Sequence, residues 1–170
     1  MGHFCASCTI SDTNVLQTFV ASPGFFCTPA FWQDALYFAG SVQGMGNGDR
    51  LKRLAFNPST GQFDSSPASQ SSFTFNFSGA TPSISSQGSS SGIVWAVDSS
   101  HSDPNVDFQP GPAVLFAYDA IDLSKELWNS SQASGNRDQA GGAVKFTVPT
   151  VANGKVYMGT RTELDVYGLL

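Results

Sequence analysis

Three times along this chain a proline-led start is followed by a turn, a strand-like run, a loop and a second strand-like run. The starts are Thr28-Pro29-Ala30-Phe31, Thr81-Pro82-Ser83-Ile84 and Val148-Pro149-Thr150-Val151. The turns that follow are "WQDA", "SSQGSSSG" and "ANG"; the next runs are "LYFAG", "IVWAVD" and "VYMGT"; the later runs are "LKRLAFN", "AVLFAYD" and "ELDVYG". Phe56, Tyr118 and Tyr167 align within the later runs. The first two units continue into "TGQFDSSP" and "KELWNSSQ", and the third has no such continuation. Recurrence of one supersecondary unit is the mark of a repeat architecture. Four strands per unit, A to D, is the mark of a propeller blade.

The rest of the chain agrees with an all-β fold. Short apolar runs lie between clusters of Gly, Pro, Asn and Ser, and only "DLSKELW" has even a weak helical pattern. Pro29, Pro82 and Pro149 stand at the start of strand A, where a missing N–H is tolerated. Asn153-Gly154 supplies the positive φ of a type I′ hairpin turn between strands A and B. Asp34-Ala35 is expected to do the same in the first unit. The expected organisation is a tail over 1–14, an orphan strand D within 15–27, and a partial propeller. Its blades cover 28–80 and 81–142, with an incomplete one over 143–170.

Composition narrows the partners. Only 12% of residues are charged and the net charge is −5, which argues against nucleic acid, since phosphate binding needs clustered Lys and Arg. No apolar run reaches the roughly 18–20 residues of a membrane span. "MGHFCASCTISD" lacks the basic and apolar regions of a signal peptide. With its polar, weakly charged surface, the chain reads as beginning inside a longer precursor that is extracellular or periplasmic. Cys5 and Cys8 have C-x-x-C spacing, with His3 nearby and Cys27 unmatched. A lone pair of this kind reads first as incidental thiols at a frayed terminus, and only then as a redox or zinc element.

The C-to-D connections carry a further signal. "AFNPSTGQF" holds Ala55, Asn57, Thr60 and Gly61, and "AYDAIDLSKELW" holds Ala117, Asp119, Lys125 and Trp128. These resemble the A-x-D-x-x-T-G-K-x-x-W docking motif of pyrroloquinoline-quinone-type propeller repeats. The first copy has Asn for Asp and lacks Trp; the second is one residue longer and lacks Thr-Gly. The run "RDQAGGAVKFTVPTVANGKVYMGTRTELDVYGLL" looks like the C-terminal part of secreted bacterial propellers of this type. In that family the motif's Trp and Asp lock neighbouring blades together, and the quinone sits in the channel of a whole propeller. The resemblance therefore implies a fold more than an activity, and the quinone is not expected on the isolated chain.

The longest loops are Gly40 to Arg50, Asp98 to Pro112 and Asn129 to Gly142, and long loops in compact folds tend to carry function. On a propeller all three would emerge around the channel mouth. The middle loop gathers Asp98, His101, Asp103 and Asp107, an oxygen-rich set suited to Ca²⁺ or, with His101, a transition metal. It matches no EF-hand, and a solvated Asx-rich turn is the simpler account of it. Arg50, Asn105, Arg137 and Asp138 are candidate ligand-binding residues, for a carbohydrate or another small molecule. Arg137 and Asp138 read equally as a structural clamp between blades. His101, Asp103 and Asp138 are the candidate catalytic groups, with the two carboxylates a conceivable glycosidase pair. No G-x-S-x-G elbow is present. "SFTFNFSG" alternates at period two, which puts Phe73, Phe75 and Phe77 on one face, either as core between sheets or as a sugar-stacking platform.

The function that fits is a binding module without a strong catalytic signature. The alternatives are a glycoside or ester hydrolase at the channel mouth, and a remnant of a quinone-dependent dehydrogenase. Three blades cannot close a ring, which takes about four to eight. Two copies would make six, as a homodimer in which Val15–Val20 of each chain completes the partner's last blade and hides both edges.

Overall fold

The computed structural model describes residues 15–42, 48–102 and 111–168. Cys5, Cys8, His3 and the tail over 1–14 lie outside the described residues, as do Asp103, Asn105 and Asp107. The chain is all-β, with twelve strands in three antiparallel sheets and only two single turns of 3-10 helix, Ser100–Ser102 and Ser134–Asn136, among the described residues. Among them no helix is long and apolar enough to cross a membrane.

The middle sheet is a four-strand meander of β6 (Ser83–Gln87), β7 (Ser90–Asp98), β8 (Val114–Asp119) and β9 (Glu126–Asn129). These are strands A to D of the second unit. Its A-to-B turn is tighter than the Ser/Gly run suggests, because Gln87 pairs with Ser90. The last sheet has β10 (Thr150–Ala152), β11 (Lys155–Gly159) and β12 (Leu164–Gly168), in that order. Asn153 (φ 52°) and Gly154 (φ 70°) form its tight turn in the left-handed region.

The first sheet departs from expectation in three ways. It runs β1 (Ala30–Trp32), β2 (Ala35–Phe38) and β3 (Asp49–Asn57), and then divides. β4 (Gln62–Phe63), from the expected fourth run, pairs only with Phe56 and Asn57. The longer β5 (Ser69–Phe75) pairs with the start of β3 across a register shift. β3 overshoots β2 by two residues to reach β4, so the alignment of Phe56 with Tyr118 and Tyr167 is corrected. Leu54, opposite Leu36, holds the place that Tyr118 holds opposite Val94 and Tyr167 opposite Val156. The A-to-B turn is Gln33-Asp34 (φ 47° and 50°), not Asp34-Ala35.

Strand alternation turns each inner sheet into a two-sided layer. Val94, Ala96, Phe116 and Tyr118 of the middle sheet pack against Tyr37, Ala39, Leu51 and Phe75 of the first. Val97 and Leu115, from the other parity, pack with Trp95 and Trp128 against Val156, Met158 and Tyr167 of the last. The three sheets therefore stack in series. Their first strands run side by side, with β6 contacting both β1 and β10. Thr28 N donates to Thr81 Oγ1 at 3.3 Å, and Ser83 Oγ donates to the Pro149 carbonyl. Trp32 lies across the next unit's hairpin, its Nε1 donating to Gly88 O at 3.1 Å. Gly92 leaves the room, since a Cβ there would come within 2.5 Å of the Trp32 ring.

Candidate functional site

In a meander, strand B ends where strand C begins, and strand D ends where the next strand A begins, all at one end of the sheet. That topology collects Arg50, Asp98, His101, Arg137 and Asp138 at one end of the stack. B-to-C and D-to-A connections also touch there. Ala39 pairs with Ala80 and Pro112 with Gly142 as isolated bridges, and Arg161 N donates to Gly142 O at 2.9 Å.

Most of the acidic groups at this end are already committed. Asp98 is buried, and its carboxylate accepts Ser100 N at 3.0 Å and Ser100 Oγ at 3.1 Å. This is the Asx-type cap that Asp favours at the end of a strand. His101 is exposed beside Gly111, where a Cβ would stand 3.1 Å from His101 Cβ. Among the described residues no three His, Cys, Asp or Glu side chains gather as a metal site. Asp103 and Asp107, which complete the sequence-derived set, are outside those residues.

Arg137 and Asp138 form a bidentate pair, Nε to Oδ1 at 2.6 Å and Nη2 to Oδ2 at 2.9 Å. The Arg137 guanidinium holds the Asp138 carboxyl below its ordinary range. The Asp138 carbonyl also accepts Tyr167 Oη at 3.2 Å, tying the D-to-A connection to β12. Tyr167 meets Trp128 edge-on with ring centroids 5.6 Å apart, and burial pushes the Tyr167 hydroxyl up to about 12. The pair is thus a clamp between the second and third sheets. Its guanidinium remains 68% exposed and could still meet a ligand.

Beside it lies a cleft of about 180 Å³, lined by Pro112, Ala113, Val114, Ser130, Ser131, Asn136 and Gln139. That is below the roughly 300–1,000 Å³ of typical small-molecule pockets. Its lining offers hydroxyl and amide groups and no carboxylate.

Asp49 is the centre of a cluster that sequence reasoning missed. Nearly buried, it accepts Ser22 Oγ at 2.6 Å and Lys52 Nζ at 2.8 Å, and Lys52 Nζ also donates to Ala21 O at 2.9 Å. The charged run "GDRLKR", which holds both Asp49 and Lys52, was the available signal; Ser22 and Ala21 are distant in sequence. Arg50, its neighbour, is exposed. The expected face of three phenylalanines holds for two. Phe73 and Phe75 both pack on Phe116, at 4.5 and 5.6 Å, whereas Phe77 leaves the strand for Phe26 and Phe146.

The docking-motif positions do local work. Asn57 Oδ1 accepts Ser59 N at 2.9 Å, and Asp119 Oδ1 accepts Ile121 N at 2.8 Å. Each residue caps the turn that follows the third strand of its unit. No family model matches the chain, and no curated protein or solved structure matches it.

Proposed function

We propose that this chain is a binding module built from three propeller-type blades of the quinone-repeat kind, two copies of which make a six-bladed ring. It works without catalysis, outside the cytoplasm, on a neutral polar ligand of the carbohydrate type at the mouth formed by the B-to-C and D-to-A connections. The single observation that supports this reading is the serial stacking of the sheets with neighbouring first strands, which gathers the described parts of these connections at one end. The groups there also favour binding over turnover. Asp98 and Asp138, the described carboxylates among the candidates, are both held by partners, Ser100 and Arg137. A general acid or base must come within hydrogen-bond reach of the proton it moves.

The test is a pair of measurements on the intact chain. Titration with neutral oligosaccharides, followed by backbone NMR, should shift resonances of Ser131, Asn136, Arg137 and Gln139, and Arg137→Ala should weaken the response. Nitrophenyl glycosides and esters should not turn over. Turnover that disappears in His101→Ala or Asp138→Asn would contradict the proposal and favour the hydrolase.

A further inference from the structure

The three sheets share one register. Tyr37, Trp95 and Tyr157 stand opposite Ala30, Ser83 and Thr150 of their first strands. They stand opposite Arg53, Ala117 and Val166 of their third strands. Two residues before these, on the same face, come Leu51, Leu115 and Leu164. Leu51 and Leu115 are 0% exposed, and Leu164 is 63% exposed. The backbone differs in the same way. Leu51 N donates to Ser71 Oγ at 3.0 Å and Leu115 N to Ser130 Oγ at 3.1 Å, each hydroxyl buried at the fourth-strand side. By the same parity Leu164 N points to the outer side of β12, where no strand pairs among the described residues. The third sheet therefore lacks, among those residues, both a fourth strand and a following sheet, the two neighbours that bury its counterparts.

The opposite end of the stack holds a segment of the matching kind. Residues 15–20 carry no strand pairing, yet they alternate. Gln17 and Phe19 are partly covered, while Leu16, Thr18 and Val20 are exposed, Leu16 at 82% and Val20 at 93%. Gln17 is fixed by its side chain alone. Its Nε2 donates to Phe63 O at 2.7 Å and its Oε1 accepts Phe63 N at 2.8 Å. The segment thus lies a side chain's length from β4, at the edge of the first sheet, without pairing with it. That is where a fourth strand of a preceding sheet would run. Phe38 and Leu54, on that outer face, are already buried, with Phe25 5.2 Å from Phe38.

We infer that residues 15–20 of one copy add to the outer edge of β12 of a second copy as its fourth strand. The exchange is reciprocal, and the exposed face of each third sheet then comes against the N-terminal cover of the partner's first sheet, where Phe25 and Phe26 are exposed. This rests on the ring reading above and names what closes the ring. The interface extends the stacking order of the two within the chain. With Gln17 turned to its own first sheet and Phe19 partly covered at the same parity, Leu16 and Val20 face the other way. There the partner's β12 presents its Tyr167 side, beside Trp128. Apolar meets apolar on that side, and the backbone ladder satisfies the open edge.

The experiment uses the full chain. Sedimentation should give a species of twice 18.0 kDa at micromolar concentration. Leu16→Asp and Val20→Asp change exposed side chains, so near-ultraviolet circular dichroism of each should match the parent, while dimer affinity falls by roughly tenfold or more. A benzophenone amino acid in place of Val166 should, in a mixture of isotopically light and heavy chains, cross-link between copies to residues 15–20. A monomer at all concentrations would overturn the inference. A dimer indifferent to both aspartates, or cross-links within one copy or to segments other than residues 15–26 and the first sheet of the partner, would also overturn it and would leave the binding reading to the titrations above.

Discussion

The interface between the first and middle sheets and the outer face of the last are built from the same positions and have opposite fates. Tyr37 and Leu51 are sealed beneath the middle sheet; their counterparts Tyr157 and Leu164 face outward. Register and side-chain chemistry are alike, so burial is decided by what comes next in the stack. Repeat architectures behave this way in general, since each repeat buries its face only against a neighbour. The N-terminal side has solved the problem with a cover, residues 15–26, anchored by Gln17, Ser22 and Lys52. The C-terminal side has no such cover among the described residues.

The contrast is sharpest at the two leucines. Leu115→Ala should cost about 2–5 kcal/mol in denaturant unfolding, from lost transfer energy and a cavity. Leu164→Ala should change the stability of dilute protein by less than about 0.5 kcal/mol. Equal costs would mean that the two positions do not differ in burial as described. Next, Ser130→Ala should cost about 1–3 kcal/mol in the same unfolding measurement, because the buried Leu115 N–H loses its acceptor. A milder contrast divides two tyrosines of one interface. Tyr37 Oη donates to Ala120 O at 2.8 Å, so Tyr37→Phe should lose about 0.5–1.5 kcal/mol. The buried Tyr118 hydroxyl has no partner among the described residues, so Tyr118→Phe should be neutral or stabilising by thermal melting.

The clamp should respond least. Asp138 has a folded-state value lowered by Arg137, so its contribution is full above the ordinary carboxylate value. It is lost as pH falls through the lowered one. Asp138→Asn should remove that limb of the acid-unfolding curve and leave stability near neutral pH little changed, since the Arg137 side of the pair is largely exposed. A steep loss at neutral pH would assign the clamp more weight than its exposure allows.

Legibility of the sequence follows locality. The middle unit is readable strand by strand, because its turns and apolar runs are contiguous. The Asn153-Gly154 turn follows from two residues with a known backbone preference. The fourth strand of the first unit is half legible: "SFTF" alternates at period two, but "SQSS" before it has no apolar pattern, and Ser71 is buried through its hydrogen bond to Leu51. Asp49 is hidden because Ser22 is far from it in sequence. Arg137 and Asp138 are readable as a clamp because they are adjacent, while their link to Tyr167 needs the fold.

One amide decides whether β12 acquires a fourth strand. Hydrogen exchange of Leu164 N–H, followed by NMR alongside those of Leu51 and Leu115, reads that cover directly. Strand exchange between copies predicts that Leu164 is as slow as the other two in concentrated protein and becomes fast on dilution, while Leu51 and Leu115 stay protected. Fast exchange of Leu164 at every concentration would contradict it.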